Sequence, residues 1–594
     1  MSRRSTSSYV HLLLLCAATA LAACGDDVPS GEGAGSSGSD SGSSTSTNPD
    51  PTTPGDTTEG PQGTTDAEDT TTSQGETESE TEGTSTGEVE MMLDIQRIGR
   101  YAPEPLSDLF DEGAAEIAAF DPVTQSLFVT NGMTGSIDVI DLSDATMPTF
   151  VQALSPADPG LGSPTSVAVS DGVVAASVPS ATDAQPGQVV FFDVDGTELS
   201  SVTVGALPDM VTFSPDGTLV LTANEGEPTG YLGGDEDPEG SVSIIDVSGG
   251  VLGVTAMDVS TAGFGALTMA DIDATTRVFG PGSTIAEDLE PEYVAVSGDS
   301  TTAWVSLQEN NALAIVDLVA GTVTDVVGLG LVDHSMTGLD ASDQDDAIDI
   351  ATAPVFGMRQ PDAIAAFEIG GSTYVATANE GDARDYGGLD EAARISSLPL
   401  DATVFPNAAD LQMGTSIGRL QVTDQNGDID DDGDYDELWV FGSRSVSIFD
   451  AAGVLVWDSG DEIEQVTAAA FPDDFNCDND ENGTFESRSD NKGPEPEGLT
   501  VGEAFGTPYL FVGLERIGGF MVWDVSDPSA PQQLLYINPR DFTGDAAMGT
   551  ADDLGPEGLL FIEAASSPTG QPLVVVTNEV SGTVSIYELT LVPV

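Results

Sequence analysis

At 594 residues the chain has room for one large domain or two to four ordinary ones, and 101 Asp and Glu against 14 Lys and Arg give a formal charge of −87. A surface that negative repels phosphate backbones and anionic headgroups, which all but excludes nucleic-acid partners and makes divalent cations the expected ones. Two histidines, His11 and His334, and three cysteines, Cys16, Cys24 and Cys477, leave no material for a disulfide framework or a Cys-rich metal site.

Arg3 and Arg4 followed by the apolar run Val10 to Ala22 predict a secretory signal over residues 1–23, too short for an anchored membrane span. Its end, Leu21-Ala22-Ala23-Cys24-Gly25, resembles the lipobox of bacterial lipoproteins, in which the Cys becomes the lipidated first residue of the mature chain. The alternative is an ordinary cleavage site with an incidental Cys. Small residues before Cys24 and a polar tail after it favour lipidation. Residues 24–90 are Ser, Thr, Gly, Pro and acids with almost no large apolar side chain, so a disordered, self-repelling stalk is expected. The product would be an exported bacterial lipoprotein, held at the outer membrane or cell surface by acyl chains.

From about Ile95 one pattern recurs. An acidic residue, usually after Pro, opens an apolar-alternating run at Ala115-Glu116-Ile117, Pro208-Asp209-Met210, Pro291-Glu292-Tyr293, Pro361-Asp362-Ala363, Pro496-Glu497-Gly498 and Pro556-Glu557-Gly558. A degenerate seventh copy is Pro164-Thr165-Ser166. A second run follows each acidic copy and ends in a polar corner, as at Leu219 to Gly226 or Tyr374 to Gly381. A third then alternates, as at Ser136 to Asp141. Period-two alternation bounded by Gly, Asn, Asp and Pro predicts strands, and its repetition predicts an all-β fold: a single β-propeller over 91–594, seven-bladed. The last repeat stops after three strands, so Ile95 to Tyr101 is expected to complete it and close the ring. A polar insertion from Glu380 to about Asp434 is expected to interrupt the fifth blade, with Leu438 to Gly442 and Ser445 to Asp450 resuming it. A second insertion is expected over about Asp473 to Lys492.

Longer stretches point to a family. Asn224-Glu225-Gly226-Glu227-Pro228, Ala378-Asn379-Glu380-Gly381-Asp382-Ala383-Arg384-Asp385-Tyr386, Ser489-Asp490-Asn491-Lys492-Gly493-Pro494-Glu495-Pro496-Glu497-Gly498 and Gly513-Leu514-Glu515-Arg516 resemble the choice-of-anchor I family of secreted bacterial proteins. That family is related to the mesenchyme-specific cell surface glycoproteins of biomineralising animals. The resemblance implies an extracellular propeller with a variable anchor, here expected at Cys24 because the chain ends at Val594 without a sorting tail. It settles no reaction.

Three groups of residues could carry chemistry. Asp424, Asn426, Asp428, Asp430, Asp432 and Asp434 stand at alternate positions with Gly433 for a sharp turn, a spacing that lets a loop wrap calcium. The opening matches an EF-hand loop, but twelve places from Asp428 falls Trp439, so a full EF-hand is not expected. Asp478, Asp480 and Asn482 form a weaker copy. Secondly, equivalent positions of propeller strands form rings: Asp209, Glu292, Asp362, Glu497 and Glu557 on one, Glu225, Glu309, Glu380, Glu515 and Glu579 on the other. Five carboxylates around one axis need cations, Arg partners or bound protons; hydrogen bonds closing the blades are the plain alternative. Thirdly, Lys492, the only lysine, and Arg384, Arg488 and Arg516 could contact phosphate, with intramolecular salt bridging the stronger expectation. His334 is read as an exposed loop residue and Cys477 as an inert thiol.

The expected function is a calcium-binding, lipid-anchored surface module for a ligand, mineral or cell-surface partner. The alternative is a calcium-dependent hydrolase of extracellular phosphoesters, of the alkaline phosphatase or phosphodiesterase kind, using the same carboxylates and cations.

Overall fold

The computed structural model describes residues 91–103, 105–182 and 184–594; the segments expected to form the signal and the stalk, with Cys24, lie outside them. Seven four-stranded sheets succeed one another along the chain. Their first strands are Ala118–Asp121, Ser166–Ser170, Pro208–Phe213, Val294–Val296, Ile364–Ile369, Pro496–Ala504 and Pro556–Ile562, which open blades 1 to 7. Each packs on the next and the seventh on the first, so these strands line a closed ring. All seven follow the predicted repeat, and the seven-bladed propeller is the fold.

Blade 7 takes three strands from the C-terminus and its fourth, Met91–Tyr101, from the N-terminal side. Leu93 and Ile95 of that strand are buried between blades 6 and 7. Arg97 and Arg100 pair with Asp552 and Asp553. Closing a ring by chain ends leaves no open sheet edge between first and last blade.

The core is divided among the blade interfaces. Leu221 and Ile244 of blade 3 meet Val305 and Ala314 of blade 4, and each of the other six interfaces has its own apolar cluster. Second and third strands are therefore buried on both faces, which is why Leu219–Asn224 reads Leu-Val-Leu-Thr-Ala-Asn rather than strictly alternating. The outermost strands face water, as the exposed pattern of Thr149–Leu154 shows.

The insertion departs from expectation. Trp439–Val440 does not return to blade 5. It joins a five-stranded sheet with Leu331–Asp333, Phe356–Met358, Ala392–Arg394 and Gln421–Thr423. Leu339, Ile395, Leu420, Val422 and Leu438 give this sheet a core of its own. Blade 5 resumes only at Val446–Asp450. The apolar residues that build this core are scattered through polar sequence on both sides of blade 5's first strand, so no local periodicity reveals it.

Connections within the blades fall into two classes. Those joining first to second and third to fourth strands stay within about a dozen residues. The long ones enter a first strand or join second to third, and in an antiparallel blade both kinds emerge at the same end. The insertions thus crowd one face of the propeller, where the repeat acids also stand.

Candidate functional site

The ring encloses a channel of about 500 Å³ lined by first-strand residues of all seven blades, among them Ala118, Met210, Val294, Ile364 and Leu559. Small and apolar side chains alternate with exposed backbone along its walls, and the acids gather at the end where these strands begin. A local backbone device puts them there. The residue before the repeat's Pro adopts a left-handed conformation at Leu207 (φ 45°), Gln360 (φ 42°), Glu495 (φ 50°) and Gly555 (φ 63°). Pro cannot relax its own φ, so the pair forms a fixed kink ahead of Asp209, Asp362, Glu497 and Glu557.

The corner acids come from the ends of the second strands. Glu380 shows how closely the chain is folded there: Gly381 has φ +93°, and a Cβ on it would lie 2.0 Å from the Gly442 nitrogen. Only glycine permits that approach.

The two expected rings meet in one buried acidic cluster. Carboxylate oxygens of Glu225, Glu292 and Glu309 lie within 4.8 Å of one another, as do those of Asp362, Glu380 and Glu497. A third group of the same size is Glu380, Glu495 and Glu515. Burial first, then mutual repulsion, pushes Glu225, Glu292, Asp362, Glu497 and Glu557 well above the usual carboxylate range. Burial pushes Asp209 up to about 6, Glu579 to about 7 and Glu515 to about 8.

Cations occupy only part of this cluster. Lys492 Nζ lies 2.6 Å from Glu380 and 3.0 Å from Glu495. Arg488 reaches Glu495 at 2.5 Å, and Arg516 reaches Glu495 at 3.1 Å and Glu515 at 3.2 Å. Burial works against its charge, yet Arg488, Arg516 and Lys492 together hold Glu495 well below the usual range. Arg384 belongs to a second group, pairing with Asp288 at 3.1 Å and Glu290 at 2.8 Å.

Sequence comparison now adds to this geometry. The profile of the choice-of-anchor I domain matches residues 116–528. The chain belongs to the choice-of-anchor I family. It is 30% identical over 190 residues to Gigasin-3a of Magallana gigas, covering 30% of this chain and 66% of that protein. It is 28% identical over 344 residues to the mesenchyme-specific cell surface glycoprotein of Strongylocentrotus purpuratus, covering 52% of this chain and 42% of that one. The matches thus span under two thirds of these relatives' own lengths. Among solved structures it is similar to the WD40 domain of Toxoplasma gondii coronin, with a TM-score of 0.42 and 8% identity over 85% of this chain and 89% of that one. The Myceliophthora thermophila Cps50 (Swd1) propeller gives 0.40 and 9% over 84% and 100%, respectively.

In this choice-of-anchor I propeller the other predicted residues fare differently. In the acidic loop, Asp428 and Asp430 come together with Asp436 rather than with their whole alternating series. Asp428 caps the turn, accepting from the Asp432 and Gly433 amides. Asn426 instead accepts from Arg277, whose guanidinium is buried against Glu391. Asp424 is exposed and accepts from Gln425. Asp434 stands beside Asp432 and is pushed up to about 6. In the second candidate loop, Asn482 donates to the Asp541 and Gly544 carbonyls and accepts from Arg540, so it ties insertions together. Asp478 lies 3.5 Å from Arg516, and burial raises Asp480.

His334 is buried, not exposed. Its Nε2 lies over Gly357 of the insertion sheet, and burial, then Arg444, pushes it down to about 4. Burial rather than neighbouring charge takes Cys477 up to about 12. Sequence reasoning missed Glu116, Glu227, Glu290, Asp382 and Glu495 as members of the acidic end. Glu290-Pro291-Glu292 and Glu495-Pro496-Glu497 carried the signal: two acids flanking the Pro that turns the chain.

Proposed function

We propose that this propeller is an exported, surface-displayed binding module, tethered through Cys24 and the stalk, that takes up calcium and recognises a surface or mineral partner by its insertion-bearing face. One observation carries the reading. The long connections and the buried carboxylates occupy the same end of the ring, so ligand-facing loops and cation-seeking oxygens share one surface. The kinship with a cell surface glycoprotein supports display outside the cell. Among the described residues no helix is long and apolar enough to cross a membrane, and the lipobox-like Cys24 supplies the anchor.

Calcium suits the donors: hard, oxygen-only and mostly carboxylate. The hydrolase reading has less support, because Lys492, Arg384, Arg488 and Arg516 are each engaged with buried carboxylates.

The test uses the full chain expressed in a bacterial host. Wild type partitions with membranes and Cys24→Ser does not; the released protein binds calcium carbonate particles in calcium and comes off in chelator. Retention that ignores calcium would sink the calcium-dependent part of the reading. Turnover of a generic phosphomonoester or phosphodiester, lost on chelation and in Lys492→Ala, would replace it with the hydrolase.

A further inference from the structure

The acidic end is divided into a compensated and an uncompensated half. On the side of blades 5 and 6, Glu380, Glu495 and Glu515 share Lys492, Arg488 and Arg516. On the side of blades 3 and 4, Glu225, Glu292 and Glu309 converge with no Lys or Arg ion-paired to any of them among the described residues. Arg384 forms its ion pairs with Asp288 and Glu290 and acts on Glu309 only through space, while Arg277 reaches the Glu309 main-chain carbonyl and not its carboxylate.

We infer that Glu225, Glu292 and Glu309 form a buried site for one divalent cation of calcium type, which ties blade 3 to blade 4. The inference rests on the calcium reading above and assigns it to three residues. Glu309 is only 3% exposed, and its Oε2 has no hydrogen-bond partner; nor has Glu292 Oε2. Leaving buried carboxylate oxygens unmet is costly, and a cation meets both at once. The three oxygens lie within 4.8 Å of one another, close enough for all of them to reach one ion at about 2.4 Å. The three residues also come from two blades: Glu225 ends the second strand of blade 3, while Glu292 and Glu309 belong to blade 4. Binding would therefore add a bond across an interface held by apolar packing and a few hydrogen bonds such as that of the Asp216 amide to Ser300.

The test titrates calcium into the metal-stripped full chain by calorimetry and records melting with and without it. Wild type, Glu292→Gln, Glu309→Gln and Asp430→Asn are compared, the last reporting on the exposed loop. The expected result is one site weakened at least about 10-fold in both Glu variants, since even outer partners of a metal are worth about 10–100-fold. That site persists in Asp430→Asn. Without calcium the Glu variants melt above wild type, because Gln removes the cost of either repelling or protonating a buried carboxylate, and their calcium-induced rise is lost. Calcium binding unchanged in both Glu variants overturns the inference while leaving the calcium reading standing. Failure of both Glu variants to fold overturns it too, since removing a repelling charge must stabilise. Absence of any calcium binding overturns the inference and the calcium reading together.

Discussion

The amine of Lys492 lies 2.6 Å from a carboxylate oxygen of Glu380, 112 residues earlier in the chain. The contact joins the insertion ahead of blade 6 to the polar corner of blade 5, and it is buried on both sides. The only lysine of a protein with formal charge −87 is thus kept for the interior. Its position marks where the propeller neutralises its own carboxylates.

Glu495 is the hub of that arrangement, so Glu495→Gln leaves Lys492, Arg488 and Arg516 short of a counter-charge. Breaking a buried pair in this way costs about 3–5 kcal/mol. Urea unfolding should show a loss of that size. A change below about 1 kcal/mol would mean that the three cations find other partners.

Acidification should stabilise the metal-free protein. Burial holds Asp209 up at about 6, Glu227, Asp382 and Glu579 at about 7 and Glu515 at about 8. Between the ordinary carboxylate range and these values the folded chain binds more protons than the unfolded one, so stability falls as pH rises through about 5 to 8. His334, held at about 4, opposes this with a single proton. Melting of metal-free protein is expected to rise from pH 8 to pH 5.5. A flat or falling profile would show that the carboxylates are ionised in the folded state without help.

Gly381→Ala should destabilise the blade 5 corner by about 1–3 kcal/mol, the range for a non-glycine residue forced into a rare backbone region. The φ of +93° and the 2.0 Å approach to Gly442 leave no room for a methyl group. Thermal melts would detect it, and an unchanged melting temperature would mean that the corner is looser than described.

Deleting the strand Met91–Tyr101 removes the fourth strand of blade 7 together with Arg97 and Arg100, and uncovers the cluster holding Leu93 and Ile95. The truncated chain should exchange amide hydrogens fastest in blade 7. Protection there equal to that of the full chain would show that the strand is dispensable for ring closure.

The fold was largely legible because each blade repeats the same local pattern: an acid after Pro, an alternating run and a polar corner. Even the closing strand followed from counting three strands in the last repeat. The insertion sheet was not legible. Its pairing of Phe356 with Trp439 is parallel and joins segments on either side of blade 5's first and second strands, and Ile395, Leu398 and Phe405 sit among polar residues without a period. The acidic end was legible in its membership and not in its charge balance. Equivalent repeat positions named Glu225, Glu292 and Glu309. That Lys492, Arg488 and Arg516 would gather on Glu495 depends on how two distant insertions fold back. His334 was misread for a related reason: its neighbours Asp333, Ser335 and Met336 are exposed, as the polar Asp333 and Ser335 suggest, while its own ring turns in over Gly357 of the insertion sheet.

The most direct test of the account is the position of a bound ion. Crystals of the full propeller, stripped of metal and then equilibrated with calcium or a lanthanide substitute, would show it by anomalous scattering. The account predicts a peak among the carboxylates of Glu225, Glu292 and Glu309. An empty triad in crystals that bind the ion elsewhere would contradict it.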